Sequence, residues 1–193
     1  DGRLEALMAG SLGLPELLDA VRAQPALRTS RRLSHVFRLD VPGHARPLWL
    51  TDAMLHAAPS LADKADIARN AIDLLRVMGI EQPRLAVLSA SEAVDAAVPS
   101  TIDAAALCKM VDSGQIGGGL IDGPLAFDSA VSLPAAQSKR PRSAVAGQAD
   151  VLLAPDMESG SMLARQLLYL GGATASGLIV GARVPITVVT HRH

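Results

Sequence analysis

Short apolar runs alternate along the chain with longer segments in which apolar residues recur every three or four positions. The short runs predict β-strands and the longer segments predict amphipathic helices. The predicted strands lie at 36–41, 48–51, 85–88, 117–122, 151–154, 178–180 and 186–189. The predicted helices lie at 16–22, 60–78, 100–112, 128–137 and 160–170, and residues 4–8 have the pattern of a helix end.

Capping residues and turn residues support the boundaries of these elements. Ser60 and Asp63 form a capping-box pattern at the start of one helix, and Gly79 follows its predicted end. Pro15 suits the first turn of an earlier helix. The Pro42-Gly43 pair lies between two predicted strands and therefore indicates a hairpin.

Each helix has an apolar face that we expect to pack against the sheet. These faces consist of Leu17, Leu18 and Val21 in the first helix, Ile67, Ala71, Leu74, Leu75 and Met78 in the second, and Met162, Leu163, Leu167 and Leu170 in the last. The alternation of short apolar strands with helices is typical of a parallel α/β sheet with right-handed crossovers. The sequence contains no internal repeat and no low-complexity segment.

The composition supports an α/β fold and argues against several functions. Hydrophobic residues make up 49% of the 193 residues, which is enough for a substantial core. The formal net charge of −1 argues against electrostatic binding of nucleic acid or of an anionic membrane. With two Phe, one Tyr and one Trp, the chain also lacks an aromatic platform for single strands. Phe37 and Trp49 are expected to be packing residues.

Other features concern the compartment and the ends of the chain. Cys108 is the one cysteine, so no internal disulfide can form and we expect a reducing compartment. The sequence has no run of about eighteen apolar residues and no signal pattern, which favours a soluble, cytoplasmic protein. The chain begins at Asp1 without Met and stops at His193 after a strand-like run, so we expect further residues on both sides.

Ligands of open α/β sheets bind beyond the carboxyl ends of the strands, and five loops of this chain occupy such positions. They are 89–92, 122–124, 155–160, 181–183 and 190–193. The loop at 155–160 leads into a helix whose free N–H groups can hold an anion, but Asp156 and Glu158 favour plain helix capping. The glycines at 117–119 lack the Lys-Ser or Lys-Thr pair of a nucleotide-binding loop.

Arg192 follows the last predicted strand, where a guanidinium can bind two phosphate oxygens; the alternative is an ordinary surface ion pair. His191 and His193 flank it, but a metal site would need a third ligand that the pattern does not supply. Cys108 lies within a helix among apolar residues, which is typical of a small core residue rather than of a nucleophile. These patterns alone predict an α/β protein with an anion-binding cleft.

Three ordered segments resemble the phosphate acetyltransferase and phosphate butyryltransferase family. They are IDGPLAFDSA at 121–130, VAGQADVLLAPD at 145–156 and GSMLARQL at 160–167. Shorter segments at 6–12, 31–37, 51–53 and 181–186 fit the family in the same order, so the resemblance covers nearly the whole chain. The segment at 31–37 is most similar to members fused to an enoyl-CoA-hydratase-like domain, which would precede Asp1.

The resemblance implies a two-lobed, three-layer α/β fold of the isocitrate and isopropylmalate dehydrogenase type, with the active cleft between the lobes. Residues 28–182 would form the complete second domain. Residues 1–27 and 183–193 would belong to the first domain, whose N-terminal part would lie upstream. A homodimer is typical of the family.

The family reaction moves an acyl group reversibly between coenzyme A and phosphate, without a metal, a cofactor or a covalent enzyme intermediate. A CoA thiolate attacks the acyl carbonyl while phosphate leaves, so the implied partners are acyl-CoA, phosphate and acyl phosphate. Arg192 corresponds to the family's phosphate-binding arginine, and His191 stands where the family has serine. The expected substrate contacts are Gly10, Ser11, Ser34 and Thr190.

Several positions depart from the family pattern. Besides His191, the residues Gly13-Leu14-Pro15 replace a pair with side-chain donors, and Ser161 replaces an asparagine. The family's proposed base, an aspartate, would follow His193. An alternative is therefore a catalytically decayed paralogue that binds acyl-CoA or acts as an interaction domain. A dehydrogenase is disfavoured, because the sequence has neither metal-binding aspartates at helical spacing nor a dinucleotide fingerprint.

Overall fold

The computed structural model describes residues 5–8, 12–139 and 142–188. Within these ranges the strands are β1 (Leu7–Met8), β2 (Ser34–Asp40), β3 (Leu48–Thr51), β4 (Arg84–Leu88), β5 (Leu120–Leu125), β6 (Val151–Leu153), β7 (Thr174–Val180) and β8 (Ile186–Val188). They form one eight-stranded sheet in the order β1-β8-β7-β2-β3-β6-β4-β5. The predicted α/β class is confirmed.

The sheet is mixed rather than parallel throughout. β3, β6, β4 and β5 are parallel neighbours, whereas β2 is antiparallel to both β3 and β7, and β7 is antiparallel to β8. The predicted hairpin of β2 and β3 is therefore confirmed. As a consequence, β3, β4, β5, β6 and β7 end at one edge of the sheet, which we call the first edge. β1, β2 and β8 end at the opposite edge, called the second edge.

The helices are α1 (Leu14–Ala23), α2 (Leu61–Val77), α3 (Pro99–Asp112), α4 (Phe127–Val131), α5 (Leu133–Lys139) and α6 (Met157–Tyr169), with a short 3-10 turn at Pro25–Leu27. One core cluster joins α2 and α3 to the sheet, and a second joins α4, α5 and α6 to it. The described helices thus make a three-layer arrangement. None of them is long and apolar enough to cross a membrane.

The strands in the middle of the sheet are buried because both of their faces are covered. Leu50, Leu152 and Leu153 have no exposed surface, and Trp49 and Phe37 are packing residues, as predicted. The continuous apolar character of such strands is expected where helices cover both faces of a sheet. A smaller cluster around Leu18 and Val21 of α1 packs against β7 and β8.

Helix α2 begins as its sequence predicts. The Ser60 hydroxyl accepts a hydrogen bond from the Asp63 N–H, and the Asp63 carboxylate accepts one from the Ser60 N–H at 2.9 Å. This reciprocal pair satisfies two backbone donors that a helix start leaves free. The predicted inward face is wrong at Met78, which is 56% exposed because the helix has already ended at Val77.

The predicted inward face of α6 is wrong at two of its four residues. Met162 and Leu170 are mostly exposed, and the buried residues are Gly160 and Ala164. Small residues face inward because the helix lies very close to the sheet: a Cβ atom at position 160 would be 3.0 Å from Ala154 Cβ. Leu163 and Leu167 pack beside this contact, as expected.

Three predicted boundaries also need correction. Leu7 and Met8 form a strand rather than a helix end, because they pair with β8. The strand β5 runs to Leu125 and includes Gly123-Pro124. Its pairing with β4 shifts register between Ala86 and Leu88 of β4. Helix α3 begins at Pro99, so Thr101 lies inside the helix and its hydroxyl donates to the Val98 carbonyl at 2.7 Å.

Candidate functional site

Most of the predicted site residues lie outside the described part of the chain: Gly10, Ser11, Thr190, His191 and Arg192. The strands that lead to them are described. β1 and β8 are parallel neighbours, with Met8 opposite Thr187. Both strands end at the second edge of the sheet. The predicted segments 10–11 and 190–192 therefore follow strands that end side by side at that edge.

Ser34, the remaining predicted contact, is the first residue of β2 and has no exposed surface. Its hydroxyl accepts a hydrogen bond from the Asn70 side chain at 3.0 Å, and the same amide donates to the Arg32 carbonyl at 2.8 Å. In this structure Ser34 joins β2 to α2. A contact between Ser34 and substrate stays a prediction.

The loop after β6 is a helix cap, as its carboxylates indicated. Asp156 is the N-cap of α6, and its Oδ1 accepts a hydrogen bond from the Ser159 N–H at 2.8 Å. The Ser159 hydroxyl donates to the same oxygen at 2.8 Å. A carboxylate of the chain itself therefore occupies the position where an external anion would bind.

The loop after β4 belongs to a small charged cluster near the first edge. Glu92 accepts a hydrogen bond from the Ser129 hydroxyl, and Lys139 Nζ lies 3.6 Å from its Oε1. Lys139 also donates to Asp128 Oδ2 at 2.9 Å, and this hydrogen bond lowers the pKa of Asp128. Both carboxylates thus share one lysine, so this cluster is structural in character.

A buried carboxylate orients a histidine directly after β3. The Asp52 side chain is 1% exposed; its Oδ1 accepts from the Met54 and Leu55 N–H groups at 2.9 and 3.0 Å. Its Oδ2 lies 2.7 Å from Nδ1 of His56. Because Nδ1 is held by Asp52, Nε2 is the ring atom that remains available to a ligand.

His56 lines a cavity of about 520 Å³ at the first edge, which we call the arginine pocket. The pocket lies between the end of α1, the segment that leads into β2 and the end of β7. Its lining consists of Val21, Arg22, Leu27, Arg28, Thr29, Ser30, Arg31, Arg32, Leu33, His56 and Gly181. Four arginines and no aspartate or glutamate belong to this lining, so the lining itself carries positive charge.

Carboxylates outside the lining hold three of these arginines. Arg22 pairs with Asp19 at 3.1 Å, Arg31 pairs with Asp73, and Arg32 Nε lies 2.5 Å from Asp63 Oδ1. Arg28 is different, because no partner of its guanidinium is found among residues 5–8, 12–139 and 142–188.

The pKa of Asp63 reflects this arrangement. Burial alone would raise it, but the hydrogen bonds from Ser60 and the positive charge of Arg32 outweigh burial, so the pKa lies below its ordinary value. Asp63 therefore stays charged and keeps Arg32 in place at the wall of the pocket.

The arginine pocket was not predicted from the sequence. The signals for it are the run Arg28-Thr29-Ser30-Arg31-Arg32 shortly before β2, and a histidine four residues after the aspartate that follows β3. Neither pattern is specific by itself, because charged residues before strands are more often ordinary surface residues.

The structure also bears on the role of Cys108 and on metal binding. Cys108 lies in α3, is partly buried and donates its S–H to the Gly123 carbonyl at 3.6 Å, as expected for a packing residue. The described ranges contain no cluster of His, Cys, Asp and Glu side chains able to hold a metal ion.

Comparison with known proteins gives a consistent result. Residues 6–191 match the model of a family described as phosphate acetyl/butaryl transferase. The phosphate acetyltransferase of Rhizobium meliloti is 53% identical over 191 residues, which are 98% of this chain and 60% of that protein. The phosphate butyryltransferase of Clostridium beijerinckii is 38% identical over 190 residues, covering 98% and 63% respectively.

A solved structure agrees with these relatives. The branched-chain phosphotransacylase of Enterococcus faecalis V583 superposes with a TM-score of 0.89 at 29% identity, covering 98% of this chain and 68% of that one. The chain spans less than two thirds of the length of the curated relatives named above.

Proposed function

Because the chain belongs to the phosphate acetyl/butyryl transferase family, we propose that it is part of an enzyme that transfers a short acyl group, acetyl or butyryl, between coenzyme A and phosphate. The observation that carries the proposal is the match to the family across residues 6–191. The reaction is acyl-CoA plus phosphate giving acyl phosphate plus CoA, and it is reversible.

The transfer proceeds by direct attack. In the direction of acyl-CoA synthesis, the CoA thiolate adds to the carbonyl carbon of the acyl phosphate, and the bond from that carbon to the phosphate oxygen breaks. The protein must hold the two reactants together, accept the thiol proton and stabilise the negative charge that develops on oxygen. These steps need no metal and no covalent enzyme intermediate.

Arg192 is the proposed phosphate ligand, since a guanidinium can bind two phosphate oxygens at once. His191, next to it, replaces the family's serine and has a ring nitrogen that can accept the thiol proton. The other proposed contacts are Gly10, Ser11, Ser34 and Thr190. The parallel pairing of β1 and β8 supports this assignment, because 10–11 and 190–192 follow neighbouring strands that end at the second edge.

We propose the same division into domains that the family resemblance implies. Residues 28–182 form the second domain, and residues 1–27 and 183–193 belong to the first, in a two-lobed fold with the cleft between the lobes. The pairing of β1 with β8 supports this division, because it joins the two segments assigned to the first domain. A homodimer, a cytoplasmic location and an upstream hydratase-like domain complete the proposal.

The alternative of a decayed paralogue gains no support from the relatives, which are named as transferases at up to 53% identity. The test is a steady-state assay of the full-length protein with CoA and either acetyl phosphate or butyryl phosphate, following loss of the free thiol. Turnover on one of them with saturation in CoA supports the proposal. Saturable CoA binding without turnover on either would favour the decayed paralogue.

The role of Arg192 has a separate test. Replacing it with alanine should lower kcat/KM for acyl phosphate by about 100-fold or more, because one charged donor to the reacting group is lost. Arg165→Ala, on the exposed side of α6, is the matched control and should leave the rate within about twofold. A loss of less than about threefold in Arg192→Ala would remove Arg192 from the site.

A further inference from the structure

We propose that Lys109 is a modification site, where acyl phosphate acylates the ε-amine outside the catalytic reaction. Lys109 lies in the last turn of α3, and its side chain is exposed. Because the acyl phosphate comes from the proposed transfer reaction, this inference rests on the proposed function. The choice of Lys109 comes from the structural surroundings of the three lysines in the sequence.

The acylation needs no reactant besides the acyl phosphate and the amine. An acyl phosphate is a mixed anhydride, and its phosphate is the leaving group. The nitrogen of a neutral amine adds to the acyl carbonyl carbon, and a C–N bond forms. The bond from that carbon to the phosphate oxygen breaks, and phosphate leaves with the electron pair. The amine gives its proton to solvent, so the products are an amide and free phosphate, and the lysine has lost its positive charge.

Lysines are the basic side chains that can react in this way. The sequence has 18 Lys and Arg residues, of which three are lysines: Lys64, Lys109 and Lys139. The others are arginines, whose guanidinium groups stay protonated in proteins and therefore have no nucleophilic nitrogen. The question is which of the three amines is accessible and able to lose its proton.

Lys64 is held between α2 and α3. Its side chain is 6% exposed, and its Nζ donates a hydrogen bond to Asp103 Oδ2 at 2.6 Å. An amine can attack a carbonyl carbon only after losing its proton, and the Asp103 carboxylate stabilises the protonated form. Burial also blocks the approach of an acyl phosphate, so we expect Lys64 to react slowly.

Lys139, at the end of α5, is more exposed but is held by two carboxylates. Its Nζ donates to Asp128 Oδ2 at 2.9 Å and lies 3.6 Å from Glu92 Oε1. The hydrogen bond to Asp128 raises the pKa of Lys139, so less of its amine is neutral. Two negative charges beside the amine also repel the negatively charged acyl phosphate.

Lys109 has neither kind of protection. Its side chain is 78% exposed, and the carboxylate paired with it, Asp112 Oδ2, lies 3.8 Å from Nζ. That separation is too long for a hydrogen bond. An exposed ion pair on a helix surface is weak because water screens it. The Lys109 amine can therefore lose its proton and meet an acyl phosphate from solvent without breaking a hydrogen bond to Asp112.

The test is incubation of the full-length protein with acetyl phosphate at mildly alkaline pH, followed by peptide mapping with mass spectrometry. We expect Lys109 to be acetylated at least about fivefold faster than Lys64 or Lys139, because its ammonium is the least stabilised. Lys139→Arg should leave the rate at Lys109 unchanged. Asp128→Asn should increase acetylation of Lys139, since it removes the carboxylate that holds that amine. Acetyl-CoA at the same concentration, without phosphate, should modify Lys109 more slowly.

Three results overturn the proposal. Acetylation of Lys109 no faster than that of Lys64 and Lys139 removes it as the preferred site, and an absence of acetylation at Lys109 removes it altogether. Equal rates with acetyl-CoA and with acetyl phosphate remove acyl phosphate as the specific donor. Turnover of acetyl phosphate with CoA, measured on the same preparation, separates the two assignments. Modification without turnover supports Lys109 and counts against the proposed enzyme, whereas turnover without modification overturns Lys109 alone.

Discussion

Gly177 in β7 lies so close to His35 in β2 that a Cβ atom at position 177 would be 2.6 Å from His35 Nε2. The imidazole has no exposed surface and packs edge-on against Phe37, with ring centroids 4.2 Å apart. Neither ring nitrogen has a hydrogen-bond partner within the described ranges. The glycine makes room for a buried, uncharged histidine between two strands of the sheet.

Gly177→Ala should therefore destabilise the protein by about 1–3 kcal/mol, because the added methyl group overpacks the contact with His35. Urea unfolding at pH 7 measures the change, and Ser176→Ala on the exposed face of the same strand is the control. In a His35→Ala background the same substitution should cost less, since the obstructing ring is gone. Equal costs in the two backgrounds would show that His35 is not the obstacle.

The buried ring also makes stability depend on pH. Desolvation by burial lowers the pKa of His35 to about 4, against the opposing charge of Asp52, whereas an exposed histidine titrates near 6.5. The unfolded chain thus binds the proton more readily than the folded one. The contribution of His35 to the free energy of unfolding is therefore fully present above pH 6.5. It is lost progressively as the pH is lowered toward 4.

Between pH 7 and pH 5 this linkage should remove about 2 kcal/mol from the free energy of unfolding. His35→Leu, which has no titratable group, should lose correspondingly less over the same interval. Urea unfolding at the two pH values measures the difference, and Ser176→Ala, which removes no titratable group, should keep the wild-type slope. Identical slopes for wild type and His35→Leu would contradict the assignment.

Gly181, at the end of β7 and in the wall of the arginine pocket, has a left-handed backbone with φ of 96°. A Cβ atom there would be 2.3 Å from the Arg32 carbonyl oxygen, so Gly181→Ala combines backbone strain with a collision against main chain. We expect a loss of at least about 2 kcal/mol in unfolding free energy.

Gly43→Ala is the matched control for this substitution. Gly43 has φ of 80°, but a Cβ atom there would have no neighbour within 4 Å. The Gly43→Ala variant should lose only the conformational part of the cost, about 1 kcal/mol of the free energy of unfolding. A Gly181→Ala protein no less stable than Gly43→Ala would mean that the segment around Arg32 moves aside.

Ser60→Ala should cost about 1 kcal/mol, because it removes the N-cap of α2 and one half of the reciprocal contact with Asp63. Chemical unfolding monitored by circular dichroism measures it. Ser138→Ala, in the exposed part of α5, removes a hydroxyl without removing a cap and should change stability by less than about 0.5 kcal/mol. Similar losses in both variants would argue against the cap.

The fold could largely be predicted because local signals and burial agree in most elements. The capping box at Ser60 and the hairpin turn at Pro42-Gly43 each have one strong structural interpretation, and the structure has both. The inward face of α6 could be predicted only at Leu163 and Leu167. Gly160 and Ala164 lie inward because the helix is close to the sheet, and hydrophobic periodicity carries no information on that distance.

The direction of the strands and the arginine pocket were harder to predict from the sequence, because both depend on contacts between distant parts of the chain. Residues 28–32, His56 and Gly181 are far apart in sequence and meet because β2 pairs antiparallel with both β3 and β7. The parallel pairing of β1 and β8 likewise depends on contacts between distant parts of the chain. Such groups can be assigned only once strand order is known.

The pairing of β1 with β8 has a practical consequence for work on fragments. β8 covers one side of β7, and in a piece limited to residues 28–182 that side of β7 would be bare. Removing β8 would leave the N–H and C=O groups of Gly177–Ile179 unpaired on that side, and an unpaired strand edge is a template for joining the sheet of another molecule. Such a fragment should self-associate through β7, and a charged substitution on that strand should reduce the self-association.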